Sequence, residues 1–348
     1  MAGSTWRLPA EWEPQDGVLL AWPHAGTDWR GNLADVEQTY AALVAAISRF
    51  ERALVCVAGA EVRERAQALL QAADAKSDRV SFVAIDYDDT WLRDSGPISL
   101  AGGARRFRLV DFRFTGWGGK FEASRDDALV ATLHHAGLFG DAEHVRADWA
   151  LEGGAIESDG EGTILTTWQC LNHRHPHLDR DQLRTTLAGH LGAKRVLILE
   201  HGHLEGDDTD AHIDTLARFA SPTCIVYQGC DDPTDSHFDE LGRMADELRS
   251  LRRADGEPYE LVALPWARPV HASDGRRLAA SYANFLIVNG AVLMPAYGDA
   301  ADGAAAKALA GAFAGREIVP VPCRPLIEQN GSLHCVTMQL PRGVLHVA

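Results

Sequence analysis

The chain has 348 residues, long enough to bury a large core without disulfides or a structural metal. Its 33 basic and 49 acidic side chains give a formal charge of −16, which excludes the clustered lysines and arginines that a nucleic-acid surface needs. No apolar run approaches the roughly 20 residues of a membrane-spanning helix, and Glu11, Glu13 and Asp16 interrupt any signal-like stretch. The six cysteines form no CxxC pair, and Cys56 and Cys224 lie in apolar, strand-like runs. Reduced thiols in a soluble, cytoplasmic protein are therefore expected.

In chain order, the periodicity predicts a helix over Asn32 to Phe50 and a strand over Ala53 to Val57. A less regular unit starts at Asp94, with a helix near Arg125 to His135. From Leu151 the order is strand (Ala155 to Ser158), Asp159-Gly160 turn, strand (Gly162 to Thr166), helix (Asp179 to Leu191) and strand (Arg195 to Leu199). The same order starts again at His212: strands Ile213 to Phe219 and Cys224 to Tyr227, a helix over Ser236 to Leu251, then Tyr259 to Leu264. From Tyr282 it reads Phe285 to Val288, an Asn289-Gly290 hairpin turn, Val292 to Pro295, a helix over Ala304 to Phe313, and Glu317 to Val321.

A fifth unit starts at Cys335, with strands Val336 to Leu340 and Gly343 to His346, and then stops. Its missing helix and strand occur at Asn32 to Val57. Repeats about 50 to 70 residues apart, the last completed by the N-terminus, describe a closed α/β ring of five strand-strand-helix-strand units. No Pro-, Ser- or Gly-rich linker divides the chain, so residues 1–348 read as one catalytic domain.

Asp94, Glu152, His212 with Asp214, and Cys335 each stand at the start of a unit's first strand, and in a ring such positions converge on the axis. A thiol needs help to react at neutral pH, and a histidine or a bound cation beside it supplies that help. His212 can move protons. Asp94 and Asp214 suit a guanidinium, whose planar fork pairs with carboxylates, and Glu152 can take a third edge or orient His212. The loop Gly116-Trp117-Gly118-Gly119-Lys120 reads as a tight turn that presents Trp117 to a cation. A second chemistry is open: His201-Gly202-His203 with His212-Ile213-Asp214 contains chelating pairs, which would suit a metal-dependent hydrolase. The alternating His173, His175 and His177 read as a surface loop.

Several segments resemble the agmatine deiminase family, within the guanidine-modifying superfamily. They are Leu8 to Pro14, Leu20 to Pro23, Trp91 to Pro97, Glu152-Gly153-Gly154, His212-Ile213-Asp214, Ser281 to Phe285, and Leu333 to Thr337. The resemblance implies a five-bladed α/β propeller with pseudo-fivefold symmetry and the site on its axis. It implies Cys335 as nucleophile, His212 as general acid/base, Asp94 and Asp214 as guanidinium ligands and Glu152 in the remaining catalytic position. Trp91 and Asp208 fall near the substrate's tail, with Trp117 beside them. It implies hydrolysis of agmatine to N-carbamoylputrescine and ammonia, a step toward putrescine, through a cysteine thiouronium, with no metal and no organic cofactor. Peptidyl or free arginine is the alternative substrate, and a homodimer is the default oligomer. Two departures bear on the tail: Glu328 to Ser332 replaces a glycine-rich run, and Asp210 stands where an asparagine is common.

Overall fold

Runs such as Cys224-Ile225-Val226-Tyr227-Gln228, dense in β-branched and aromatic side chains, are buried along their whole length. They are the middle strands of small sheets packed on both faces, which is why they lack polar alternation. The computed structural model describes residues 6–345, a mixed α/β fold of five small sheets and one two-stranded ribbon.

The strands are β1 (Gln15–Ala21), β2 (Arg52–Val57), β3 (Val80–Ala84), β4 (Ile98–Gly102), β5 (Arg106–Arg113), β6 (Glu143–Ala150), β7 (Glu157–Ser158), β8 (Thr163–Thr167) and β9 (Arg195–Leu199). They continue with β10 (Ala217–Ser221), β11 (Cys224–Gln228), β12 (Glu260–Leu264), the ribbon β13 (Val270–His271) and β14 (Arg277–Leu278), β15 (Leu286–Val288), β16 (Ala291–Ala296), β17 (Glu317–Pro322) and β18 (Met338–Pro341). The sheets β4-β5-β6, β7-β8-β9, β10-β11-β12 and β15-β16-β17 share one plan. An antiparallel hairpin comes first, and a helical crossover then adds a parallel strand. Short connections favour the hairpin, whereas a parallel neighbour demands a longer crossover.

The crossover helices are amphipathic and capped as their sequences dictate. Arg180–Leu191 opens on a capping box between Asp179 and Gln182 and closes on Gly192 at φ +64°. Phe238–Ser250 buries Leu241, Met244, Ala245 and Leu248, one face at helical spacing.

The first sheet joins the two ends of the described chain. β18 pairs antiparallel with β1, Leu19 opposite Met338, and β1 runs parallel to β2, which runs parallel to β3. Here the structure corrects the sequence reading. Gly343 to Leu345 form no strand, and His346 lies outside the described residues. The antiparallel partner of the last strand is instead β1, so the N-terminal region supplies strand, helix (Leu33–Ser48) and strand. Beyond them it adds the helix Ala60–Ala72 and β3, an edge that the repeat pattern did not contain. The helix expected near Arg125 is two pieces, Ser124–Asp127 and Leu129–His135, because Asp126 and Asp127 turn inward to bond the backbone of Asp88, Asp89 and Phe114.

Candidate active site

The chemical side chains stand in the turns that precede the strands, a few residues earlier than expected. Asp94 lies in the helical turn Leu92–Ser95, which Pro97 ends by forcing Gly96 extended. Glu152 precedes the turn Gly153–Ala155, and His212 precedes Ile213–Thr215, which contains Asp214. Asn284 stands before β15 and Cys335 in the turn before β18. A turn leaves such side chains free of the sheet ladders and able to point at one another.

They do meet, and all are buried. The Cys335 sulfur lies 3.7 Å from Asp214 Oδ2 and accepts from Asn284 Nδ2 at 3.3 Å. Burial first, and then the charges of Asp214 and Asp94, push its thiol well above the ordinary value. Asp214 is held the other way: burial opposes its ionisation, but His334 Nδ1 at 2.7 Å keeps the carboxylate charged. Asp214 Oδ1 has no hydrogen-bond partner and is free for a cation.

His212 lies between two carboxylates, Nδ1 at 3.7 Å from Asp94 and Nε2 at 3.7 Å from Glu152. Burial works against a charged ring, yet Asp94, Cys170 and Glu152 hold His212 well above its ordinary value. Burial pushes the Asp94 carboxyl up to about 6, against the pull of His212 and with repulsion from Asp214 and Glu152. Asp94 is fixed by the Gly154 N–H at 3.0 Å and by the Trp117 indole N–H at 2.9 Å. Gly154 is required by space: a Cβ there would lie 2.6 Å from His212 Nδ1, 2.9 Å from Asp94 Oδ1 and 3.2 Å from Asp214 Oδ2. Three catalytic candidates thus surround one missing methyl.

Above them opens a cavity of 420 Å³ reached by Asp94, Cys335, Trp91, Trp117 and Asp208. Its wall adds Asp28, Asp88, Asp89, Glu122 and Asp126 against one cationic side chain, Lys120. That lysine is already engaged, with Asp210 at 2.9 Å and the Asp208 carbonyl. Trp91 packs on Trp29 with ring centroids 5.3 Å apart and lies against Gly331, where any Cβ would strike its ring. The run Glu328 to Ser332 keeps that one indispensable glycine. Trp117, at φ +56°, belongs to the tight turn expected, but its indole N–H is spent on Asp94 rather than left free.

Three residues of the site were given no role by the sequence, although two of them lie in the segments of resemblance Ser281 to Phe285 and Leu333 to Thr337. Asn284 bonds both the Cys335 sulfur and the His334 N–H, and, like Asp94 and Glu152, it stands just ahead of the first strand of its unit. His334 braces Asp214, and its Nε2 meets Glu11 at 2.8 Å and Arg218 at 3.0 Å. Arg174 donates to Glu152 at 2.7 Å and to Asp210 at 2.6 Å from full burial. The reading of His173 to His177 as a surface loop holds only in part: His173 and His177 are exposed and the chain after Arg174 is a loop, but the segment begins in a helix and its middle histidine is buried. Trp168–Arg174 is a helix, and His175 is buried, stacked on Trp149 at 4.2 Å and bonded to the Ala150 carbonyl. The chelating pairs fail: among the described residues no cluster of metal-ligating atoms contains His201 or His203. His201 faces Glu240 and Glu247 instead.

An α/β fold that buries a cysteine, a histidine and three carboxylates beneath an acid-walled cavity is equipped for nucleophilic chemistry on a cationic carbon. The chain belongs to the Porphyromonas-type peptidyl-arginine deiminase family, which matches residues 7–341. It is 34% identical to an agmatine deiminase of Stutzerimonas stutzeri over 96% of this chain and 95% of the relative. Among solved structures, a C. jejuni agmatine deiminase, a cysteine-to-serine variant with substrate bound, superposes with a TM-score of 0.91 at 35% identity, covering 99% of this chain and 98% of that one. A structure from Porphyromonas gingivalis, provisionally described as an arginine deiminase, is 44% identical with a TM-score of 0.90, covering 98% and 100%.

Proposed function

We propose that this protein is an agmatine deiminase, hydrolysing agmatine to N-carbamoylputrescine and ammonia. The observation that carries the reading is the Cys335 sulfur set 3.7 Å from Asp214 at the floor of an acid-walled cavity whose one cation, Lys120, is already paired. A guanidinium seated between Asp94 and Asp214 balances the two charges that hold the thiol up, so its arrival favours the thiolate, the thiol's proton passing to solvent. The thiolate then bonds to the guanidinium carbon. The protonated His212 gives its proton to one amino group, the C–N bond breaks and ammonia leaves. A cationic thiouronium on Cys335 remains. Neutral His212 next takes a proton from water, the oxygen bonds to the same carbon, and collapse breaks the C–S bond, the adduct's hydroxyl proton passing to the departing sulfur, to release the neutral ureido product and the Cys335 thiol.

Free arginine is the weaker reading, because its carboxylate would meet a wall of aspartates with Lys120 spent on Asp210. Five sheets of related plan, with their chemical turns meeting at one place, support a five-bladed propeller closed by β18 and β1, and a single catalytic domain over 1–348. A cytoplasmic homodimer without metal or organic cofactor completes the reading. No helix among the described residues is long and apolar enough to cross a membrane.

The test is ammonia release from agmatine, arginine and a blocked arginine peptide, for the wild type and Cys335→Ala. Turnover of agmatine in preference to both others, abolished by the substitution, is expected. Preference for the peptide would move the enzyme to another branch, and more than a few percent activity in Cys335→Ala would overturn the nucleophile.

A further inference from the structure

We propose that Glu152, Cys170 and His212 form an inhibitory site for one thiophilic divalent cation of the Zn²⁺ class. Cys170 is a second buried thiol that the deimination chemistry does not use. Its sulfur lies 4.0 Å from Glu152 Oε2, and His212 Nε2 lies 3.7 Å from the same oxygen. The three ligating atoms all fall within 4.8 Å of one another. Arg174 holds the other oxygen, Oε1, at 2.7 Å and so aims Oε2 into the cluster. Both ring nitrogens of His212 are buried without a hydrogen-bond partner, and Nε2 faces Glu152 Oε2.

A tetrahedral zinc ion, with bonds of about 2.0–2.3 Å, sets its ligand atoms roughly 3.3–3.6 Å apart, so the two contacts to Glu152 Oε2 need to close by only a few tenths of an ångström, and Cys170 and His212 by about 1 Å at most. On binding, Cys170 and His212 each release a proton to solvent, and sulfur, nitrogen and the Oε2 oxygen donate their pairs to the metal. A thiolate and a carboxylate then neutralise the dication, while Arg174 supports the carboxylate from outside.

Geometry separates this cluster from its neighbours. The one other group of ligating side chains among the described residues is Glu11, Glu157 and His334. It already surrounds a cation, the guanidinium of Arg218, which bonds all three. Cys335 belongs to neither group. A metal on Nε2 removes the proton carrier, so occupancy stops turnover. That consequence rests on the role proposed for His212, whereas binding itself does not.

The experiment uses Co²⁺ as a spectroscopic probe on the full chain carrying Cys335→Ala, which removes the rival thiol. One bound Co²⁺ with thiolate-to-metal charge-transfer absorption is expected, displaced by one equivalent of Zn²⁺. Adding Cys170→Ser should abolish the absorption with the far-ultraviolet dichroism unchanged. In chains that retain Cys335, Cys170→Ser should raise the Zn²⁺ concentration for half-inhibition, relative to that variant's own metal-free rate, by at least about tenfold. Absence of the absorption in Cys335→Ala, or its survival after Cys170→Ser, would overturn the site. Because the spectral measurement reads the metal alone, it stands even if agmatine proves not to be the substrate.

Discussion

His334 holds Asp214 at 2.7 Å from the position next to the candidate nucleophile, so one backbone turn carries both the thiol and the brace of its neighbouring carboxylate. Behind it the contacts continue to Glu11 and to Arg218, which is fully buried and bonded to Glu157 as well. Replacing His334 by alanine strips partners from three buried charged groups. The variant should lose about 3–5 kcal/mol of stability, read as a lower midpoint in denaturant unfolding. An unchanged midpoint would contradict the bracing role.

Asp94→Asn and Asp214→Asn each remove one charge from the proposed guanidinium seat. Breaking one side of a buried charge pair costs about 2–5 kcal/mol, so kcat/KM should fall by more than about tenfold. Steady-state kinetics on agmatine checks this, and wild-type constants in either variant would remove that residue from the seat.

Trp117→Phe keeps the ring but deletes the N–H that bonds Asp94. A hydrogen bond to a charged group contributes about 1.5–3 kcal/mol, or roughly a 10- to 100-fold loss in kcat/KM if Asp94 must be held still. A change in KM alone, with kcat intact, would instead make Trp117 a simple wall of the cavity.

Gly154→Ala should be folded and nearly inactive. The new methyl meets His212 and Asp94 in atoms that have nowhere to retreat, and a displacement of about 1 Å in a reacting group costs on the order of 10²-fold in rate. Retention of more than a tenth of wild-type turnover would show that the cluster tolerates repacking.

Away from the site, Glu51 supplies a pH signature. Burial pushes its carboxyl up to about 7, although Oε2 accepts from the Asn289 N–H at 2.7 Å. The folded state therefore keeps a proton that the unfolded chain releases near its ordinary, lower value. This group's contribution is favourable below that ordinary value and is lost as pH rises toward 7. Glu51→Gln should remove the loss, making the variant more stable than wild type at pH 8 by about 3 kcal/mol and little different at pH 4. Thermal unfolding at the two pH values decides it, and equal midpoints at pH 8 would refute the burial argument.

Much of this was legible because the informative signals are local. Asn289-Gly290 between apolar runs announced the hairpin β15-β16, and the amphipathic period over Asp179 to Leu191 marked a helix within a residue of its observed ends. Cys335, His212, Glu152, Asp94 and Asp214 stood out by residue type at recurring places in the repeat. Arg174, Asn284 and His334 were given no role, because their partners lie 22, 51 and 120 positions away; the segments of Asn284 and His334 carried the family resemblance but not the contact. Gly17-Val18-Leu19-Leu20-Ala21 is a strand for the same kind of reason. An unbroken apolar run has no period to read, and only its neighbours β2 and β18 settle its direction and register.

The pairing of β1 with β18 has a consequence for how the enzyme comes into being. During synthesis β1 emerges early and must wait for almost the whole chain before its antiparallel neighbour exists. Cys335 stands just ahead of that neighbour, so the turn that aims its sulfur is set only when the first and last strands meet. Such long-range closure is slow compared with local structure. A chain in which β18 has not yet paired with β1 thus carries the Cys335 thiol outside the turn that sets it beside Asp214.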